Sequence, residues 1–248
     1  MDQEAWKTWV RRKIRNLYNT FVNLKPRPRP VLTGLPELNA LREQSVKRGV
    51  LNEHLETLFL ESLTLKPRLI VELGVGRGGS TQVFAAVSRL CGARLVSVDI
   101  NDCSGALDWP EWHFVQADDL EFARRFEAWC GERSLTPVID VLFIDTSHLF
   151  EHTLKEIEAY FPFLGEHAKV FFHDTNINHF FFRKDGSLDL AWDNQRGVIQ
   201  ALEVYFHKKF NEKKEFVEFL PPWLIRHHPH CCGLTVLEKL GHIFPTQV

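Results

Sequence analysis

The stretch VELGVGRGGST, residues 71–81, marks the point where a buried strand turns into a helix. Glycines at Gly74, Gly76 and Gly78 allow the backbone to turn tightly and to approach a ligand closely. The helix that follows presents its first N–H groups to an anion. The spacing Gly74-x-Gly76-x-x-Gly79 also satisfies the dinucleotide fingerprint, which is weak when it stands alone. The loop therefore predicts a nucleotide-type cofactor without deciding which one.

After Pro67, apolar runs alternate with helical segments. This rhythm predicts a mostly parallel sheet with helices on both faces, and the lack of strict alternation within the strands fits burial on both sides. The predicted strands are 68–74, 93–99, 113–118, 138–145 and 168–174, and the predicted helices are 79–91, 119–133 and 150–164. Two further strands, 214–220 and 233–239, are expected to form a β-hairpin at the edge of the sheet.

The amino-terminal part of the chain has a different pattern of apolar and basic residues. Residues 1–24 show apolar side chains at spacings of three and four with basic residues between them, which predicts a basic amphipathic helix. Such a helix lies on a membrane surface, or it packs on its own domain or a partner subunit. KPRPRP at 25–30 predicts a stiff linker, and 36–64 predicts further helix. We expect a helical appendage over 1–60, acting as a cap or in homo-oligomerisation, and a cofactor-binding catalytic domain over 61–248.

Whole-chain properties exclude several classes of protein. The net charge of −2 over 248 residues argues against a nucleic-acid binder. The sequence holds no run of eighteen apolar residues, so no membrane span is predicted. The odd number of cysteines argues against a disulfide framework and favours the cytoplasm; they are Cys91, Cys103, Cys130, Cys231 and Cys232.

Carboxylates near the glycine loop narrow the choice of cofactor. Asp99 ends the next strand, where it can accept both ribose hydroxyls of NAD or of S-adenosylmethionine. Glu72 favours the latter, because a carboxylate there can meet an ammonium group but repels a pyrophosphate. Asp118 is placed to accept from an adenine amine, and Ser80 and Thr81 are placed to hold a carboxylate. The last three residues have an alternative interpretation as helix caps.

The set Glu72-x-Gly74-x-Gly76-x-Gly78, followed by Asp99 and Asp118, resembles the class I S-adenosylmethionine-dependent methyltransferases over roughly residues 60 to 240. The resemblance implies a Rossmann-like α/β fold with a mostly parallel seven-stranded sheet. It also implies that the last two strands form an antiparallel hairpin.

Two neighbouring strands of this predicted sheet end in acids, Asp145 and Asp174, which are 29 positions apart. A crossover of that length joins parallel neighbours, so both carboxylates should emerge side by side at the cofactor cleft. They repel each other unless a positive charge lies between them, and Mg²⁺ suits that position. His148 can then serve as a general base. Alternatively, Asp145 caps a helix, His148 is a surface histidine and Asp174 is a turn residue.

The segment IDTSHLFEHTLKEIEAYFPFL…VFFHDT is similar to the D-G-x-H…H-D-T pattern of the branch that includes macrolide-sugar O-methyltransferases and cephalosporin-hydroxylase-type proteins. The resemblance implies that Asp145 and Asp174 bind Mg²⁺ and that His148 is the base. Thr146 stands where glycine is usual. His173 stands where some members have a third acid, so the metal site is weaker, uses His173 as a ligand, or is absent; His173 is alternatively a second catalytic group.

The long connection between Asp174 and about residue 196 predicts a lid or binding loop over the site. Its apolar residues, Phe180 to Phe182 and Trp192, suit a lid for a lipophilic acceptor or pack on the amino-terminal helices. Its polar residues, Asp193, Asn194 and Gln195, bind a polyhydroxylated acceptor or cap a helix. RHHPHCC at 226–232 lacks the spaced pairs of a structural zinc site and is expected at the hairpin connection.

The sequence thus predicts an S-adenosylmethionine-dependent O-methyltransferase, assisted by Mg²⁺. Its expected substrate is a small-molecule hydroxyl, on a secondary-metabolite sugar, a phenol or a polyketide. The alternatives are an NAD-dependent oxidoreductase and a non-catalytic, methyltransferase-like binding protein. N-methylation also remains open.

Overall fold

The computed structural model describes residues 3–22, 29–177, 180–191 and 195–241. The helices are α1 Gln3–Val22, α2 Pro36–Ser45, α3 Leu55–Leu65, α4 Gly79–Cys91, α5 Asp119–Glu132, α6 Phe150–Tyr160 and α7 Gly197–Tyr205. The strands are β1 Leu69–Leu73, β2 Arg94–Asp99, β3 Trp112–Gln116, β4 Ile139–Ile144, β5 Leu164–His173, β6 Phe180–Phe182, β7 Leu188–Leu190, β8 Phe216–Leu220, β9 Trp223–His228 and β10 Leu234–Lys239.

Eight of the strands form one sheet in the order β3-β2-β1-β4-β5-β10-β9-β8. The pairs from β3 to β5 are parallel, and the pairs from β5 to β8 are antiparallel. The order reverses at β1, between β2 and β4, which is where open parallel sheets form ligand crevices at their carboxyl ends. The Rossmann-like fold expected from the sequence is therefore confirmed.

The carboxyl-terminal part of the sheet differs from the prediction. The expected hairpin strands 214–220 and 233–239 do not pair with each other, because β9 lies between them. The sheet has eight strands rather than seven. The strand β9 was not predicted because its second half is polar: Arg226, His227 and His228. His227 is buried, and its ring forms hydrogen bonds with Thr235 Oγ1 (2.8 Å) and the Glu212 carbonyl (2.9 Å).

The core lies on both faces of the sheet. Every residue of β1 is buried, and successive side chains alternate between the two faces. Val71 and Leu73 join the cluster under α5, α6 and α7, whereas Ile70 joins the cluster under α3 and α4. This two-sided burial explains why apolar residues occupy both faces of the strand, with Glu72 as the exception.

The amino-terminal helices divide into two groups. Leu38 on α2, and Leu55 and Phe59 on α3, are buried in the same cluster as the sheet residues. A boundary at residue 60 therefore cuts through one core, because the faces of α2 and α3 complete it. No residue of α1 whose side chain is described belongs to this core; the helix contacts β7. Most of the predicted linker at 25–30 lies outside the described residues.

All five cysteines are free thiols. None of the helices described here has the length and apolarity that a bilayer crossing requires.

Candidate active site

The glycine loop brings three strand ends together. Gly74 has φ +87°, donates its N–H to the Val98 carbonyl (2.9 Å), and lies so close to the Asp145 carbonyl that a Cβ would collide with it. Gly76 has φ +52°, and a Cβ there would meet no atom within 4 Å. Gly74 is thus required for close packing of the ends of β1 and β4, whereas Gly76 leaves open space for a ligand.

Asp99 fixes this loop from the end of β2. Its Oδ2 accepts from the Val75 and Gly76 N–H groups (2.9 and 3.1 Å), and its Oδ1 accepts from the Asn101 N–H (2.8 Å). Burial alone would raise the pKa of Asp99, but these hydrogen bonds outweigh it and lower the pKa. The carboxylate is therefore ionised and held in place.

A cavity of about 900 Å³ opens beside the loop. Its size lies in the usual range for small-molecule sites, which is roughly 300–1,000 Å³. Six predicted site residues line it: Gly74, Gly76, Ser80, Asp99, Asp118 and Asp145. Residues from several separate segments of the sequence therefore meet at one cleft.

Glu72 and Thr81 do not line this cavity. Glu72 is completely buried and accepts hydrogen bonds from Thr81 Oγ1 (2.9 Å) and Ser97 Oγ (2.5 Å). Burial raises its pKa to about 7, against the lowering effect of hydrogen bonds from Ser80, Ser97 and Thr81. Both side chains join β1, β2 and α4, and their direct contact with a cofactor stays a prediction.

Asp118 serves as a helix cap, as its alternative interpretation predicted. Its side chain accepts from the Glu121 N–H (3.0 Å) at the start of α5. The residue also lines the cavity, so the cap holds it at the cleft wall.

Asp145 and Asp174 follow neighbouring parallel strands, β4 and β5, in which Ile144 is paired with Phe172. The predicted side-by-side emergence of the two acids is confirmed. His148 Nε2 lies 2.7 Å from Asp174 Oδ2 and 3.4 Å from Asp145 Oδ1, so it contacts both acids. Asp174 and His148 have φ values of +57° and +60°, a conformation that is uncommon outside glycine and recurs at functional sites.

His173 lies behind the two acids. Its Nδ1 is 3.1 Å from Asp145 Oδ1 and 3.2 Å from Asp174 Oδ1, but only the contact with Asp145 has hydrogen-bond geometry. Asp174 Oδ1 is thereby left buried with no hydrogen bond. The potential ligand atoms that converge within 4.8 Å belong to Asp145, His148 and Asp174. The structure therefore favours His148 over the predicted His173 as the nitrogen of a metal-binding set.

Two acids, Asp145 and Asp174, and two imidazoles, His148 and His173, form one cluster. Burial alone would raise the pKa of Asp145, but the charge of His173 and the hydrogen bonds from His148 and His173 hold it well below its usual range. Burial would lower the pKa of His148, but hydrogen bonds to Asp145 and Asp174 raise it to about 9. A base must be unprotonated, so His148 needs another positive charge to compensate these acids before it can accept a proton.

A second cluster on α5 and α6 was not predicted. His152 Nε2 contacts both Asp119 oxygens at 3.0 Å, and Thr146 Oγ1 donates to Glu156 Oε1 (2.6 Å). Burial and the neighbouring Asp119 raise the pKa of Glu156 well above its usual range, which favours the protonated carboxyl, and a protonated carboxyl can donate to Asp119. The signal in the sequence was the four-residue spacing of His152 and Glu156, which places both on one face of α6.

The predicted lid contains a short hairpin of β6 and β7. Phe181 is buried against Ile177 and Cys232, and the Phe182 ring packs edge-on against Tyr18 of α1 at 6.2 Å. Phe182 thus contacts the amino-terminal helix, as one interpretation predicted, whereas Phe181 packs on Ile177 and Cys232. Trp192, Asp193 and Asn194 lie outside the described residues.

RHHPHCC forms the end of β9 and the turn into β10. Cys231 Sγ donates to the Gly49 and Val50 carbonyls (3.0 and 2.9 Å), and Cys232 is buried in the small cluster under β6. Over the described ranges, neither cysteine joins a group of converging metal ligands.

Comparisons with known proteins agree with this geometry. Residues 71–175 match the family model Methyltransf_24, described as a methyltransferase domain. A search of curated proteins finds no match. The MycE methyltransferase of the mycinamycin biosynthetic pathway, solved with Mg and SAH, is 20% identical with a TM-score of 0.53, and the match covers 86% of this chain and 57% of MycE. A Staphylococcus aureus protein assigned as a caffeoyl-CoA O-methyltransferase is 14% identical with a TM-score of 0.54, covering 93% of this chain and 99% of that one.

At sequence identities this low, similarity to a solved structure establishes the fold alone. The chain spans little more than half the length of MycE. The domain match covers the glycine loop, Asp99, Asp118, Asp145 and Asp174. The resemblance noted in the sequence is thereby confirmed. Residues 71–175 match a methyltransferase domain, and the fold of the chain is similar to the folds of these methyltransferase structures.

Proposed function

We propose that the protein is an O-methyltransferase that uses S-adenosylmethionine and a divalent cation to methylate a small-molecule hydroxyl. The observation that carries this proposal is the convergence of Asp145, His148 and Asp174 beside the cofactor cavity, whose wall includes Asp145. A cluster of acids and an imidazole at that edge suits deprotonation of a hydroxyl.

The cavity fits S-adenosylmethionine. Asp99 is ionised and fixed at its wall, where it can accept ribose hydroxyls. Ser80 also lines the cavity at the start of α4, with its hydroxyl hydrogen-bonded to Glu72. The open space at Gly76 permits close approach of a ligand to the backbone. The cofactor, when bound, supplies an electrophilic methyl group on a sulfonium.

The acid cluster fits a divalent cation. Asp174 Oδ1 is a buried oxygen without a hydrogen bond, and Asp145 supplies a second carboxylate within reach of the same point. Two carboxylates suit Mg²⁺, and an added imidazole would suit Mn²⁺ or Zn²⁺ as well. The cation, when bound, supplies positive charge that lowers the pKa of a neighbouring hydroxyl.

Side chains of this protein accept the proton and position the acids. His148 accepts the hydroxyl proton, and the contact of its Nε2 with Asp174 Oδ2 orients the ring. His173 donates to Asp145 and so holds that carboxylate in position, which makes His173 a positioning residue rather than the base. The proposed acceptor classes are sugar, phenol and polyketide hydroxyls; the MycE complex with mycinamycin VI supports this range by analogy alone.

Calorimetry tests the cofactor. We expect S-adenosylhomocysteine to bind with a Kd in the micromolar range and NADH not to bind. Asp99→Asn should weaken binding about tenfold or more, because it loses a charge-assisted acceptor for the ribose hydroxyls and the loop. Asp108→Asn, at an exposed acid outside the cavity, is the matched control. Binding of NADH with none of S-adenosylhomocysteine would favour an oxidoreductase instead.

Turnover with a panel of hydroxyl acceptors tests the cation. EDTA should abolish methylation and Mg²⁺ should restore it. Asp145→Asn should reduce kcat at least 100-fold, because it removes one carboxylate donor and one contact of the base. Full activity in EDTA would refute the cation's role while leaving methyl transfer itself intact.

A further inference from the structure

Helix α1 is attached to the rest of the protein through polar contacts. Arg15 Nη1 lies 3.2 Å from Asp189 Oδ1, Asn19 Nδ2 donates to the Leu188 carbonyl (2.7 Å), and the Leu188 N–H donates back to Asn19 Oδ1 (2.8 Å). Arg15 and Asn19 are four residues apart and therefore lie on one face of the helix. The face turned toward the protein is thus polar, the reverse of an ordinary surface helix.

The opposite face carries large apolar side chains that are exposed to solvent. Their exposed fractions lie between 52% and 66% for Trp6, Trp9, Ile14, Leu17 and Phe21. Spacings of three to five residues place them along one side of the helix. The apolar surface continues onto Phe182 of β6, which is 51% exposed beside Tyr18. A continuous exposed apolar surface of this kind marks an interaction site.

The charge of the helix indicates its partner. Five basic residues and one acid, Glu4, lie within Gln3–Val22, although the whole chain has a net charge of −2. Arg12 and Lys13 are exposed, and Lys13 Nζ lies 5.5 Å from the centre of the Trp9 ring, among the apolar side chains. Two copies of this helix packed face to face would bring like charges together, whereas an anionic surface would attract them.

We propose that α1 docks the protein on an anionic lipid bilayer. The apolar face enters the boundary between headgroups and acyl chains, the tryptophans lie at headgroup depth, and the cations contact anionic lipid. The polar contacts of Arg15 and Asn19 then hold the β6–β7 hairpin next to the membrane. This proposal does not depend on the proposed methyl transfer.

Vesicle flotation of the full-length chain tests the proposal. We expect binding to phosphatidylcholine vesicles that contain about 30 mol % phosphatidylglycerol, and at least tenfold weaker binding to pure phosphatidylcholine or in about 0.5 M NaCl. The double variant Leu17→Ser/Phe21→Ser should lose at least tenfold in binding. The matched control Val217→Ser/Phe219→Ser, at exposed apolar positions on β8, should bind like the parent protein.

A second variant separates charge from apolarity. Arg12→Glu/Lys13→Glu changes no apolar side chain and should lose at least tenfold in binding to anionic vesicles only. Unchanged binding by both double variants would overturn the proposal. The proposal would also be overturned if the parent protein does not bind vesicles and is instead a dimer in analytical ultracentrifugation that Leu17→Ser/Phe21→Ser converts to a monomer. In that case α1 joins two copies of the chain. Circular dichroism melting confirms that each variant is folded.

Discussion

His148 is the proposed general base. It contacts both acids at the ends of β4 and β5, and its own backbone is held in the left-handed region. The sequence predicted the acids and the imidazole as neighbours, but not that one imidazole nitrogen would contact both carboxylates. Asp145, Asp174 and His148 must therefore be tested as one coupled unit.

Substitution of His148 distinguishes a base from a metal ligand. We expect His148→Gln to reduce kcat by about 100-fold to 10,000-fold, the usual contribution of a general base. The Kd for Mg²⁺, measured by calorimetry, should change less than about threefold, because Mg²⁺ prefers the two carboxylates. A parallel loss of Mg²⁺ binding would instead assign His148 to the cation.

Glu156 offers a test of the buried protonated acid. Glu156→Gln keeps an acceptor for Thr146 and a donor for Asp119, so we expect little change in the free energy of unfolding at pH 7. Glu156→Ala removes the acceptor of Thr146 and one partner of Asp119, and it should lower that free energy by about 1–3 kcal/mol. Urea denaturation measures both. Equal destabilisation by the two variants would contradict the protonated state.

Among the elements, α7 positions the site by direct contact. Gly197 at its first residue lies against the His148 carbonyl, and a Cβ there would collide with that oxygen. The close approach, rather than any special backbone angle, requires glycine at this position. Nothing in the local sequence predicted it, because the contact joins segments almost fifty residues apart.

Gly197→Ala should therefore displace the segment that carries His148. We expect a loss of about 1–3 kcal/mol in the free energy of unfolding, as for other overpacked sites, together with a reduced kcat. Gly131→Ala is the matched control: Gly131 lies within α5, and a Cβ there would meet no atom within 4 Å. It should be neutral or stabilising by up to about 1 kcal/mol. Equal effects of the two substitutions would contradict the contact argument.

The stability of the whole molecule should depend on pH through its buried imidazoles. Burial lowers the pKa of His227 to about 4, despite the hydrogen bond to the Glu212 carbonyl that raises it. Its contribution to stability is complete above the unfolded pKa of about 6.5 and is lost as the pH falls toward the folded value. Acidification therefore favours the unfolded chain, in which His227 binds a proton more readily.

Between pH 7 and pH 5 the titration of His227 should lower the free energy of unfolding by about 2 kcal/mol. His227→Gln removes the titration, so the difference between urea denaturation at the two pH values should shrink by about that amount. A pH dependence identical in the variant and the parent would exclude His227 as a cause.

The sequence by itself determined the local and repetitive features. The alternation of strands and helices, the glycine loop, and the acids at strand ends follow from backbone geometry and from burial on both sides of a parallel sheet. Asp145 and Asp174 could be paired in advance because a crossover that holds a single helix usually places consecutive parallel strands side by side.

Only the tertiary structure decided which partner each polar side chain has. Glu72 is bonded to Thr81 and Ser97 rather than facing the cavity, β9 is inserted between the expected hairpin strands, and the apolar face of α1 points outward. These outcomes depend on contacts between segments far apart in the chain. Periodicity specifies that a face is apolar, but the packing of the whole fold specifies what that face meets.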